Sequence, residues 1–255
     1  MNKMLVLYYS GVGNTKRVAK VMASNFSIEY NVDIYSIENL PDDFSFENYK
    51  AIVIGFPTIH SSPAKPIIMF LDKLDKLKNP IGAYIFTTFG LYSCNALRIF
   101  GIKCSEKNII PVFNRGYRCK AIDGILLAPF MKCWFSDEKE LIERVKTDTT
   151  EFAEMIGKPL NIKIPKIKLY SILNYPNKLL GEAYSFKIYF YKERCIKCGK
   201  CITNCPVKAY EVDKCGLPEI RYEKCINCYR CIHHCPKRAL SLSKKKAPKK
   251  TLFTQ

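Results

Sequence analysis

Residues 7–20 read LYYSGVGNTKRVAK. Ser10, Gly11, Val12, Gly13, Asn14 and Thr15 have the composition of an anion cradle, with glycines for the turn and hydroxyl and amide donors beside them. Two common glycine loops fail on spacing. A triphosphate loop needs G-x-x-x-x-G-K-[ST], and no such string starts at Gly11 or Gly13. A dinucleotide loop needs G-x-G-x-x-G, and counted from Gly11 its last glycine position holds Lys16. The flanks narrow the choice. Residues 4–9 (MLVLYY) are a short apolar run, as in a strand buried on both faces. Residues 14–24 carry Val18, Val21 and Met22 at helical spacing. A strand, a tight glycine turn and a helix N-terminus gather backbone N–H groups around an anion. Ser10, Asn14 and Thr15 add side-chain donors. With no lysine-and-magnesium arrangement, such a cradle suits a terminal monophosphate.

The rest of the first 160 residues repeats the strand-then-helix pattern. Apolar strand candidates fall at 4–8, 32–37, 51–55, 81–87 and 109–112, with helical patterns at 14–24, 63–77, 95–104 and 137–156. Ser136 is the expected N-cap of the last helix, ahead of acidic residues in its first turn. Alternation of this kind predicts a doubly wound α/β fold, a parallel five-stranded sheet with a ligand beyond the carboxyl ends of its strands. Three loops leave those ends: residues 10–15, GFPTIHSS (55–62) and TTFGLYSCNA (87–96). His60 reads equally well as a solvated loop histidine. Cys94, Cys104, Cys119 and Cys133 read as small apolar core residues, and Trp134 as packing.

The second part carries a different signal. CIKCGKCITNCP places Cys195, Cys198, Cys201 and Cys205 before Pro206, and CINCYRCIHHCP places Cys225, Cys228, Cys231 and Cys235 before Pro236. Both are C-x2-C-x2-C-x3-C-P, the run that wraps iron–sulfur cubes in bacterial ferredoxins. Glu193 and Glu223, Ile202 and Ile232, and Ala209 and Ala239 recur in the same register, so the segment is an internal duplication. Zinc is the competing reading, but zinc takes four ligands as two pairs rather than two runs of four. His233 and His234 read as solvated turn residues, and Cys215, with no counterpart in the repeat, as a spare thiol.

The chain has 255 residues, 13 cysteines and a formal net charge of +18. No export signal is read, so the cysteines argue for metal ligation in a reducing compartment, the cytoplasm, rather than a disulfide framework. No apolar run is long enough to span a membrane; the longest, 125–135, is broken by Lys132. Residues 1–160 hold 20 Lys/Arg and 17 Asp/Glu, whereas residues 161–255 hold 21 and 6. The second part is the basic one, and a field of that sign favours acidic partners.

Taken together, the chain resembles the flavodoxin–ferredoxin fusion proteins of anaerobic bacteria and archaea. The resemblance implies a flavodoxin-like sheet of order 2-1-3-4-5 and a small α+β ferredoxin-like domain. The expected division is 1–158 for the flavodoxin-like domain, 159–189 for a packed connector, 190–242 for the ferredoxin-like domain and 243–255 for a disordered basic tail. The implied cofactors are FMN and two [4Fe–4S] clusters. The phosphate of FMN falls to Ser10, Gly11, Val12, Gly13, Asn14 and Thr15. The flavin ring falls between Pro57, Thr58, Ile59 and His60 on one loop and Thr88, Phe89, Gly90, Tyr92, Ser93, Cys94 and Asn95 on the other, with Phe89 and Tyr92 as stacking candidates. In two-cluster ferredoxins the fourth cysteine of each run serves the other cluster. One cluster would therefore take Cys195, Cys198, Cys201 and Cys235, the other Cys225, Cys228, Cys231 and Cys205.

Electron transfer follows as the expected function, between one-electron and two-electron partners, with an acidic redox protein as partner and no catalytic residue named. An FMN-dependent oxidoreductase fed by the clusters and acting on a quinone, nitro compound or flavin is the alternative. A nucleic-acid contact by the basic run 244–250 is a third reading, which a solvated tail explains as well.

Overall fold

The computed structural model describes residues 3–127, 130–132, 136–173, 187–249 and 251–252. Cys133, Trp134, part of the connector and the last residues of the tail lie outside them.

The first part runs β1 (Lys3–Tyr8), α1 (Asn14–Phe26), β2 (Asn31–Ser36), β3 (Ala51–Ile59), β4 (Ser62–Pro63), α2 (Lys65–Lys73), β5 (Ile81–Phe89), α3 (Ala96–Glu106), β6 (Ile109–Arg118), α4 (Ile122–Leu127) and α5 (Glu138–Ala153). Five strands pair in parallel in the order β2-β1-β3-β5-β6, which is the expected doubly wound, flavodoxin-like order. β4 is an addition, two residues folded back antiparallel on the end of β3. The turn between them holds His60 (φ 47°) and Ser61 (φ 63°), the paired positive values of a tight hairpin turn.

Alternation along β1 sorts the two layers. Met4, Val6 and Tyr8 face α1 and α5 and pack with Val18, Met22, Val145 and Phe152. Leu5 and Leu7 face α2 and α3 and pack with Ile67, Leu71, Leu97 and Phe100. Cys104 and Cys119 are buried in these layers, as expected of small apolar residues. Burial pushes the Cys119 thiol up to about 12.

Several boundaries differ from the sequence reading. Asp137, not Ser136, caps α5, its Oδ1 accepting from the amides of Lys139 (2.8 Å) and Glu140 (3.2 Å). α2 begins after Pro63, which is held in β4, and stops at Lys73 rather than at residue 77. β6 runs on to Arg118, because Tyr117 is buried there with its hydroxyl shared between Tyr84 and Asp148 Oδ2 (2.8 Å to the latter).

The described part of the connector lies along the sheet. Lys163 N–H donates to Pro111 O, Arg98 to Pro165 O, and Lys168 to Ser93 and Asn95. It includes a short α6 (Tyr170–Leu173).

The second part is α+β. β7 (Tyr189–Phe190) pairs with β10 (Leu240–Ser241). Between them come α7 (Lys200–Thr203), the hairpin of β8 (Tyr210–Val212) with β9 (Pro218–Ile220), and α8 (Arg230–His234). The tail is not a free chain. Lys246 O accepts from Ser241, Lys249 O accepts from Arg238, and Thr251 is buried. Leu252 N–H donates to His233 Nδ1 (3.1 Å). His233 is therefore no solvated turn residue. With Nδ1 accepting, Nε2 carries the proton and donates to Ile122 O (3.1 Å) in α4, tying the second part to the first. Burial lowers the pKa of this imidazole to about 4.

Candidate functional site

At the carboxyl ends of β1, β3 and β5 lies an open cavity. Its first wall is the predicted cradle: Ser10, Gly11, Val12, Asn14 and Thr15 line it. Gly13 stands behind at the head of α1 with φ 101°, a conformation that an L side chain resists. Its N–H donates to Ser10 Oγ (3.1 Å), which fixes the turn. Thr15 and Thr88 share a hydrogen bond of 2.8 Å across the two loops, and Asn14 Nδ2 donates to Lys120 O (2.9 Å). These contacts keep the loop open with the free end of α1 facing the cavity.

Pro57, Thr58, Ile59 and His60 form a second wall, and Thr88, Phe89 and Gly90 a third. The remaining ring candidates stand elsewhere. Tyr92 is 61% exposed and lies against Tyr170, with ring centroids 6.2 Å apart. Cys94 is buried away from the cavity, while Ser93 and Asn95 are engaged by Lys168 of the connector. The chain turns at Gly90, where a Cβ would stand only 2.7 Å from that of Ala121, and leaves the cavity.

The fourth wall was not read from the sequence. It comprises Lys120, Ala121, Ile122 and Asp123 after β6, and Asn227, Cys228 and Tyr229 of the second cysteine run. A Cβ on Gly11 would lie 3.8 Å from that of Cys228, so cradle and cysteine loop stand close together, and Arg230 beside them donates to the Ser10 and Gly11 carbonyls. Tyr229 and Arg230 stand where the first run has Gly199 and Lys200, one of several differences between the two runs.

The duplication extends to the backbone. Lys197 and Asn227 have φ 54° and 52°, Gly199 and Tyr229 71° and 54°, Lys208 and Arg238 49° and 51°. Ala209 N–H donates to Cys205 Sγ and Ala239 N–H to Cys235 Sγ, both at 3.2 Å. Cys195, Cys198, Cys201 and Cys235 line one cavity, and Cys225, Cys228, Cys231 and Cys205 another. Each fourth cysteine thus sits with the three of the other run. Among the described residues no three metal-binding side chains converge on a single point. A cube asks for no such point, since each cysteine serves its own iron. Burial raises Cys201 and Cys228 to about 11 as free thiols, and bound iron supplies the charge that would hold them as thiolates. Cys215 stays outside both groups, exposed.

A family model of the flavodoxin domain matches residues 5–92, and one of the 4Fe-4S dicluster domain matches residues 187–236. The chain matches a flavodoxin–ferredoxin fusion. A flavodoxin domain and a 4Fe-4S dicluster domain imply FMN and iron–sulfur clusters and support an electron-transfer protein. Similar solved structures include a flavodoxin from the domain Archaea (20% identity, TM-score 0.45, covering 60% of this chain and 98% of that one). Another is oxidised flavodoxin 1 from Bacillus cereus (18%, 0.44, 60% and 97%), and a third is two-electron reduced flavodoxin from Megasphaera elsdenii (14%, 0.39, 58% and 98%). No curated protein matches this chain. Among its described residues no helix is long and apolar enough to cross a membrane.

Proposed function

We propose that this chain passes electrons between two [4Fe–4S] clusters and one FMN, linking one-electron and two-electron redox partners. The observation that carries the reading is Cys228. It lines the cavity of the second quartet and the cavity above the glycine loop, so the two cofactor sites share a wall. When bound, each cluster exchanges one electron and FMN one or two. Ser10, Gly11, Val12, Asn14 and Thr15 would hold the phosphate. Ile59, His60, Phe89 and Tyr229 would bound the ring. The eight cysteines would hold the clusters in the crossed sets given above.

The cluster of Cys195, Cys198, Cys201 and Cys235 is the outer one in this reading. Among the described residues its cavity is lined by Arg194, Lys200 and Lys237 and by no carboxylate, and exposed Ile196 lies beside them. An acidic redox protein fits that face. We take residues 1–158 and 190–242 as the two working domains, with 159–189 as the connector between them and 243–255 as a basic tail. Protein purified without oxygen should contain about one FMN and about eight irons per chain, the content of two cubes. Zinc in place of iron, FAD in place of FMN, or one cluster's worth of iron would overturn the reading.

A further inference from the structure

Arg230 opens α8, one residue after Tyr229, and its side chain is only 14% exposed. All five of its N–H donors are used, mostly by residues about 190 to 220 positions away. Nε donates to Gly11 O and Nη2 to Ser10 O, both at 2.5 Å. Nη1 and Nη2 grip the carboxylate of Glu38, each at 2.8 Å, and Nη1 also reaches Asn204 O at 3.0 Å. The counterpart in the first run is Lys200, which cannot make such a fork.

The peptide unit is planar and trans, so a carbonyl and the following N–H point opposite ways. Holding the Ser10 and Gly11 carbonyls on the guanidinium turns the N–H groups of Gly11 and Val12 away from it. Among the described residues neither amide has an acceptor. Both residues line the cavity. We infer that Arg230, a residue of the cluster-bearing domain, is a positioning residue for the phosphate cradle: by fixing two carbonyls it aims two amide donors at the FMN phosphate. The inference rests on FMN occupying this cavity. Its lever is geometry more than charge, because Glu38 already offsets the cation.

The test is a fluorescence titration of the full, cluster-loaded chain, stripped of flavin, with FMN and with riboflavin, which lacks the phosphate. Arg230→Lys keeps the charge and loses the fork. FMN affinity should fall about tenfold or more, while riboflavin affinity stays within about twofold. Iron content and far-ultraviolet circular dichroism serve as the fold control. If R230K does not assemble its clusters, Glu38→Gln loosens the same fork without touching the cysteine runs and must show the same FMN-selective loss. Unchanged FMN affinity overturns the inference, as does an equal loss of FMN and riboflavin, which would mean that Arg230 only docks the domains. Failure of the wild-type chain to bind FMN at all would overturn the proposed function and the inference with it.

Discussion

Tyr229 holds a backbone conformation that its repeat partner Gly199 meets without cost. For an L residue the left-handed region costs about 1–2 kcal/mol. The ring answers that cost: it is buried among Ile232, Leu240 and Leu242 and lines the cavity beside Gly11. Truncating a large aromatic in a core costs about 3–5 kcal/mol. Tyr229→Gly should therefore destabilise the chain by about 2 kcal/mol net, even though it relieves the backbone. Tyr229→Phe separates the ring from its hydroxyl, which has no partner among the described residues. In flavin-free protein Y229F should be neutral or more stable by up to about 1 kcal/mol, read from thermal melts at constant iron content. A marked loss would mean that the hydroxyl is already satisfied by the protein. The cysteines allow a second test at this scale. Because Cys205 sits with the second run and Cys235 with the first, Cys205→Ser should remove the same low-temperature paramagnetic signal of reduced protein as Cys228→Ser. Cys235→Ser should remove the one lost in Cys195→Ser. Pairing of Cys205→Ser with Cys195→Ser would mean that each run closes its own cluster.

Helix α5 closes one face of the sheet through Val145 and Phe152, and its start depends on Asp137. Asp137→Ala should cost about 1 kcal/mol, the usual worth of an N-cap, whereas Ser136→Ala should cost almost nothing; chemical denaturation of the two variants decides which residue caps the helix. The miss by one position is instructive. Ser136 and Asp137 are both good caps, and Asp137 takes the place; Glu138, the first helical residue, bridges Arg17 (2.7 Å) and Lys120 (2.8 Å) from other elements. Those two cations hold the Glu138 carboxyl down near about 2. Elements buried on both faces were legible because their apolar runs are continuous: β1, β3 and β5 were all readable. β6 was legible only at its start, since Arg115 and Tyr117 bond to Asp148 and Asn114 to Lys163 O of the connector, contacts that no period reveals. Three walls of the cavity could be read from loops that follow strands. The fourth could not, because Cys228 and Tyr229 meet Gly11 from more than two hundred residues away, and local pattern carries nothing about such a meeting. The tail failed for the same reason: its lysines read as solvated, and its anchoring runs through backbone groups of Lys246, Lys249 and Leu252 that composition does not show.

At the scale of the whole molecule the charge and the cofactor sites are arranged together. The chain's excess of +18 lies mostly in its second part. There, the quartet that includes Cys228 borders the glycine-loop cavity, while the outer quartet opens between Arg194, Lys200 and Lys237. In the proposed function an electron donor docks at the outer quartet, whose described lining is positive. With the cofactors proposed above, two oxidised cubes with four thiolates each would bring about −2 apiece and the FMN phosphate about −2 more, which would leave the loaded protein strongly basic. Attraction between exposed charges is screened over roughly 10 Å at 0.1 M salt, so reduction by an acidic ferredoxin should slow steeply as ionic strength rises. The lysines of the tail also add to the field, and local and global effects must be separated. Reversing Arg194, Lys200 and Lys237 to glutamate should lower the bimolecular rate at low salt by about tenfold or more and flatten its salt dependence. Reversing Lys244, Lys245 and Lys246 removes as much charge but leaves the outer cavity untouched, and should lower the rate far less. Stopped-flow reduction across a salt series distinguishes the cases. Equal effects of the two triple variants would mean that only net charge steers the partner, and a rate indifferent to salt would remove electrostatic docking at the outer cluster altogether.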